Sequence, residues 1–222
     1  MGSDILTDLN PQQLQAVTHT EGPLLIVAGP GSGKTRVITQ RIAYLLDMGI
    51  DPESILAVSF TNKAAQEMRS RVNQCSKIPM GRWIGTFHSV CVRILRNHIH
   101  RLGVHNNFVI YDTQDQIHIV KESMKALNIN EKDFRPQAVL SAISNAKNKL
   151  MTVQAFEEQI GDYFQKRVSE VYKLYQKKLH ENHALDFDDI ILKTVQLFSQ
   201  ETQILELLQN QFHYIMVDEY QD

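Results

Sequence analysis

Cysteine is scarce, with only Cys75 and Cys91 in 222 residues. They lack zinc-ligand spacing and are too few for a disulfide framework, so both are expected to stay reduced and structural. Met1 is followed by Gly2-Ser3-Asp4, with no basic leader and no apolar segment of membrane-spanning length. Neither a signal peptide nor a transmembrane helix is expected, and the default location is the cytoplasm. Charge of one sign is not in excess either: 23 Lys and Arg stand against 25 Asp and Glu, a net of -2. Composition alone therefore gives no support to nucleic-acid binding, and any such site must rest on local features. What the chain does have is a hydrophobic share of 43%, enough to bury a core in one large domain or two small ones.

The most informative stretch is Leu24-Leu25-Ile26-Val27-Ala28-Gly29-Pro30-Gly31-Ser32-Gly33-Lys34-Thr35. Leu24 to Val27 is short and uniformly apolar and reads as a central parallel strand, whereas Thr35 to Leu46 carries the helical repeat Val37, Ile38, Ile42, Leu45, Leu46. Between them, Gly29, Gly31 and Gly33 permit backbone angles that let several N–H groups converge on phosphate oxygens at the positive end of the new helix. Lys34 is placed to reach the outer phosphates and Thr35 to put its hydroxyl on a magnesium ion bridging two of them. The strict motif begins with glycine where this chain has Ala28, a small departure because the later glycines and the lysine make most of the cradle. An NTP site is the reading.

Upstream, Asn10 can cap a helix with Pro11 at its first position. The glutamines there, Gln13 among them, suit a plain solvated helix. An amide that donates and accepts at once also suits the edge of an adenine ring. Downstream, Ile55 to Phe60 reads as a second strand, Trp83 to Phe87 as a third and Phe108 to Ile110 as a fourth, with helices at about Ala64 to Cys75 and Val90 to Ile99. That alternation predicts a parallel sheet with ligands at the carboxyl ends of its strands, where polar clusters follow Val27, Phe60 and Phe87. From Asp112 to about Ser199 the pattern is helical alone, with Val168, Val171, Tyr172, Tyr175 and Leu179 on one stripe. Lys147, Lys149, Lys166, Arg167, Lys173, Lys177 and Lys178 read mainly as solvated helix faces, a nucleic-acid surface being the alternative for a few. His98, His100 and His105 have no carboxylate or thiol at ligand spacing, which argues against a metal site. Finally Phe212 to Val217 reads as a strand ending in Asp218-Glu219-Tyr220-Gln221-Asp222. There Asp218 is placed to hold magnesium and Glu219 to orient and deprotonate an attacking water.

Taken together, the glutamine helix, Ala28 to Thr35, Phe60-Thr61-Asn62-Lys63-Ala64-Ala65, Thr86-Phe87-His88-Ser89, Leu185-Asp186-Phe187-Asp188-Asp189 and Asp218 to Asp222 closely resemble the UvrD/Rep/PcrA-type superfamily 1 DNA helicases. The likeness is closest to the PcrA branch and covers practically the whole chain. It implies an α/β fold: the parallel sheet of a RecA-like P-loop NTPase (subdomain 1A, incomplete), spanning 1–111 and 200–222 and ending at the Walker B motif. An all-helical subdomain 1B would be inserted at 112–199. It further implies ATP and Mg2+ as cofactors, with Gln13 reading adenine and Arg36 packing on the base. Ala28, Gly29, Gly31, Ser32, Gly33, Lys34 and Thr35 would form the phosphate cradle. Phe60, Thr61, Asn62, Thr86, Phe87 and His88 match motifs that contact single-stranded DNA, where stacking and backbone contacts need no large positive charge.

The resemblance thus points to the N-terminal part of a 3'-to-5' helicase that couples ATP hydrolysis to translocation on single-stranded DNA and duplex unwinding. Its substrates would be single strands and single-strand/duplex junctions, its setting the bacterial cytoplasm and nucleoid, and its partners repair or replication proteins. Members of the family continue well past the acidic motif into a second RecA-like domain that supplies cations for catalysis. The chain by itself is accordingly expected to bind ATP, hydrolyse it poorly and unwind nothing. The competing readings are the motor of a helicase-nuclease, a small-substrate NTPase or kinase, and a non-catalytic nucleotide-binding module.

Overall fold

The computed structural model describes residues 5–29 and 31–221; Met1 to Asp4, Pro30 of the phosphate loop and Asp222 of the acidic motif lie outside the described residues. In chain order the described elements are α1 (Pro11–Thr18), α2 (Lys34–Asp47), β1 (Ile55–Ser59), α3 (Asn62–Cys75), β2 (Ile84–Thr86), α4 (Phe87–His98), β3 (Val109–Ile110) and α5 (Thr113–Ala126). They continue with α6 (Pro136–Asn148), α7 (Val153–Glu157), α8 (Tyr163–Glu181), β4 (Ala184–Leu185), α9 (Phe187–Gln200), α10 (Thr202–Gln211) and β5 (Tyr214–Val217). None of the described helices is long and apolar enough to cross a membrane. Two compact units result, one from Met1–Val90 with Leu205–Asp222, the other from Cys91–Ile204.

The first unit is built on a parallel sheet of order β2-β1-β5. The apolar repeat of α2 lands inside it, with Ile42, Leu45 and Leu46 packed in one cluster with Ile55 and Ala57 of β1, Ile84 of β2, Met216 of β5 and Met68 and Val72 of α3. Burying each such side chain contributes roughly 1.5–3 kcal/mol, which is why α2 and α3 lie on the sheet rather than beside it. The cap read from the sequence forms as well: Asn10 Oδ1 accepts from Gln13 N at 2.8 Å while Gln13 Oε1 accepts from Asn10 N at 3.1 Å.

Leu24 to Val27 departs from expectation. It forms no strand, and Leu25 and Val27 are 72% and 86% exposed. A strand exists only where a neighbour completes its hydrogen bonds, and the described sheet ends at β5 without pairing this run. Apolar composition marks a segment that suits a buried strand, but it does not supply the partner.

The second unit is helical around Val120 and Met124 of α5, Val139 and Ile143 of α6, and the expected stripe Val168, Val171, Tyr172, Tyr175 and Leu179 of α8. Two further corrections arise here. Phe108 to Ile110 does not extend the larger sheet, because β3 pairs in parallel with β4 as a separate two-stranded sheet, so this unit is not purely helical. Lys147, expected on a solvated face, is buried. Its Nζ lies 2.6 Å from Asp186 Oδ2 and 2.9 Å from Asp189 Oδ1, and Tyr175 OH donates to Asp186 Oδ2 at 2.8 Å. The reason is the cap of α9: Asp186 accepts from Asp189 N at 2.8 Å, which draws two carboxylates into the interior, where they require a cation. Burial works against the charge of Lys147, yet Asp189 and Asp186 outweigh it and hold the ammonium's pKa above its ordinary value. Lys149, Lys166, Lys173 and Lys177 are exposed, in accord with the solvated reading.

Candidate nucleotide and nucleic-acid site

All the candidate site residues belong to the first unit. Gly31 and Gly33 stand at φ 75° and 88°, left-handed conformations that favour glycine, and Gly33 is the N-cap of α2. No side chain caps this helix, so its leading N–H groups are left to an anion. The loop is braced from within, Ser32 Oγ donating to Gly29 O at 2.7 Å. Lys34 Nζ donates to the carbonyls of Ala28 at 3.0 Å and Gly29 at 3.3 Å, so its ammonium already lies over the loop that would hold phosphate.

Gln13 belongs to the same assembly. Its Nε2 donates to Ser32 O at 3.0 Å, and a Cβ at position 33 would meet that nitrogen at 3.0 Å, so Gly33 also makes room for the α1 side chain. Having given one N–H to Ser32 and one lone pair to Asn10, the amide retains one donor and one acceptor. Arg36 is exposed and lies 3.8 Å from Asp8.

β5 delivers the acidic pair. Asp218 N donates to Val58 O at 2.9 Å, which carries the ladder one residue past the strand and sets the buried Asp218 beside the end of β1. There Asp218 Oδ2 accepts from Thr35 Oγ1 at 3.4 Å. Burial first, and then the charge of Glu219, push the Asp218 carboxyl up, against the hydrogen bonds of Glu219 N and Thr35 and the charge of Lys34. Two hard oxygen donors, one a carboxylate that gains from a nearby cation, form a donor set that fits Mg2+. Glu219 sits at φ 54°, is exposed, and accepts from Gln221 Nε2.

The remaining residues line up along the same carboxyl edge. Ser59 and Thr86 are paired in register, so Phe60 and Phe87 follow as the next residues of neighbouring strands, 63% and 40% exposed. Thr61 caps α3 by accepting from Ala64 N at 3.1 Å, and Asn62 opens that helix, exposed. Thr86 is buried and accepts from Ser89 N at 3.2 Å, which holds the turn that presents Phe87 and the exposed His88. Asp218 and the exposed Phe60 and Phe87 thus share one edge of one sheet.

The sequence matches the UvrD/REP helicase N-terminal domain over residues 9–222. The chain belongs to that family. It is 50% identical over 226 residues to "ATP-dependent DNA helicase PcrA" of Bacillus subtilis (strain 168), covering 100% of this chain and 30% of the relative. Proteins of the same name from Staphylococcus epidermidis (strain ATCC 12228 / FDA PCI 1200) and Staphylococcus aureus (strain NCTC 8325 / PS 47) are each 49% identical, over 220 and 224 residues, covering 98% of this chain and 30% of theirs. The chain therefore spans about 30% of the length of the curated relatives it matches.

Within this UvrD/REP-type domain several contributors had no signature in the sequence. Asp8 faces Arg36, Gln221 holds Glu219, and Arg41 of α2 reaches back to α1. An aspartate in a loop or an arginine on a helix is ordinary. Only the fold brings each to its partner.

Proposed function

We propose that the chain carries the nucleotide half-site and part of the single-strand track of an ATP-dependent 3'-to-5' DNA helicase, with 1–111 and 200–222 as its RecA-like subdomain 1A and 112–199 as the inserted subdomain 1B. The observation that carries the reading is the approach of Thr35 to Asp218 on the sheet edge that also presents Phe60 and Phe87. The relatives named as ATP-dependent DNA helicases support it.

In this reading the N–H groups of the loop and of the first turn of α2 bind the phosphates, and Lys34 leaves the carbonyls of Ala28 and Gly29 to offset their charge. Thr35 and Asp218 hold Mg2+, which when bound screens the phosphate oxygens. Glu219 orients a water and accepts its proton. Gln13 and Arg36 recognise adenine, the first by its spare donor and acceptor, the second by lying on the ring. Phe60 and Phe87 stack on bases while Thr61, Asn62, Thr86 and His88 steer the backbone, giving binding that is tolerant of sequence.

The test is binding of a fluorescent ADP with Mg2+ and of labelled single-stranded DNA across a salt series. Loss of nucleotide binding in Lys34→Ala with its melting temperature retained, and loss of DNA affinity in Phe60→Ala, is the expected result. Nucleotide binding that survives Lys34→Ala, or DNA binding indifferent to Phe60→Ala, overturns it.

A further inference from the structure

α1 has eight residues, too few to hold a direction by its own hydrogen bonds. Its front end is tied to the phosphate loop by Gln13. Its rear end has no cation of its own in the last turn, and the carbonyls there need donors from elsewhere. Gln15 O is met locally by His19 N at 3.1 Å, and Ala16 O and His19 O are met by Arg41, about two turns into α2 and only 9% exposed. Arg41 Nη1 donates to Ala16 O at 2.9 Å and also to His19 O. The guanidinium is a planar, permanently charged fork, suited to bridging carbonyls and to the negative end of a helix. Burial lowers its pKa, the expected cost of placing it there, although it stays a cation.

We propose that Arg41 is a positioning residue for base recognition: by anchoring the carbonyls of Ala16 and His19 to α2 it fixes the axis of α1, and so fixes where the Gln13 amide stands beside the phosphate loop. This rests on the reading of Gln13 as the group that recognises the base. α1 is then held by the burial of Val17 and by two hydrogen-bonded points, both on the segment that begins with the phosphate loop. Release of the rear point lets the helix pivot on its front bond, which moves the free donor and acceptor of Gln13 relative to bound phosphate. Phosphate binding itself does not pass through Arg41.

The experiment compares the chain, Arg41→Met, Arg41→Lys and Gln13→Ala for binding of fluorescent ADP and fluorescent GDP with Mg2+, and takes the ratio of the two affinities. A ratio measured on one preparation is insensitive to the folded fraction, because loss of folded protein reduces both signals alike. The expected result is an ADP preference that falls by about tenfold or more in Gln13→Ala, since a site built around a donor and acceptor discriminates through them. It falls comparably in Arg41→Met and is partly restored in Arg41→Lys, which keeps the charge on one nitrogen. If Gln13→Ala loses the preference while Arg41→Met keeps it, the inference about Arg41 is wrong and the reading of Gln13 stands. If the unaltered chain shows no preference, or Gln13→Ala keeps it, the reading of Gln13 fails and the inference with it.

Discussion

Thr35 Oγ1 lies 3.4 Å from Asp218 Oδ2, although 183 residues separate them in the chain. The juxtaposition follows from the sheet, in which β1 and β5 are paired in parallel up to Val58 and Val217. The ladder therefore decides where the acidic pair stands.

The raised pKa of Asp218 makes its ionised form a cost to the folded chain. That cost is absent at low pH and grows as pH rises through the carboxylate range towards the raised value, so wild-type stability declines there relative to a neutral side chain. Asp218→Asn should melt higher than the wild type at neutral pH without nucleotide, with the difference shrinking on acidification. With Mg2+ and ADP the order should reverse. Melting curves at several pH values, with and without Mg2+ and ADP, check both signs.

Lys147 Nζ pairs with both Asp186 and Asp189, whose side chains are 1% and 0% exposed. Replacing it with methionine leaves buried carboxylates uncompensated and should destabilise the chain by about 3–5 kcal/mol at neutral pH. Burial already raises the pKa of Asp189, so the penalty should shrink at acid pH, where that carboxyl takes up a proton. Denaturant unfolding of Lys147→Met and of Lys147→Met with Asp189→Asn measures it, and the second change should recover part of the loss.

Phe60 is 63% exposed and Phe87, at 40%, is more than half buried. Replacing Phe60 by alanine should leave stability within about 0.5 kcal/mol, the usual range for surface changes, whereas Phe87→Ala should cost about 1 kcal/mol or more. Each should weaken single-stranded DNA binding by about 1–3 kcal/mol if it stacks on a base. The slope of affinity against salt should stay the same, since stacking neutralises no phosphate. Fluorescence anisotropy at several salt concentrations separates the two effects.

Glu219 holds a left-handed backbone conformation at φ 54°, which carries a strain of order 1 kcal/mol for a residue with a side chain. Its carboxylate is exposed. Glu219→Gly should therefore cost little or no stability, the relief of strain offsetting the added freedom of the unfolded chain, whereas Glu219→Val should lower the melting temperature. A valine variant as stable as glycine would show that the strain is not there.

Much of this site was legible in the sequence, and what was legible was local. The cap of α1 by Asn10 and Pro11, the buried repeat of α2 and the stripe of α8 arise from neighbours three and four residues apart, which composition and spacing reveal directly. The glycines of the phosphate loop are recognisable for the same reason, since the need for positive φ at Gly31 and Gly33 is a property of a few consecutive residues. Long-range pairing is different. Leu24 to Val27 has the composition of a buried strand, yet strand formation depends on a partner, and none of the described strands pairs with it. Val109 could have joined either sheet, and Ala184 took it. Lys147 has the surroundings of a surface lysine until the cap of α9 turns two carboxylates inward, and Arg41 is one more helical arginine until α1 presents its last carbonyls. The sequence by itself determined which segments turn, cap and coil. Only the tertiary structure decided which of them meet, because hydrogen bonds and charges are satisfied by whatever the closed chain brings within reach.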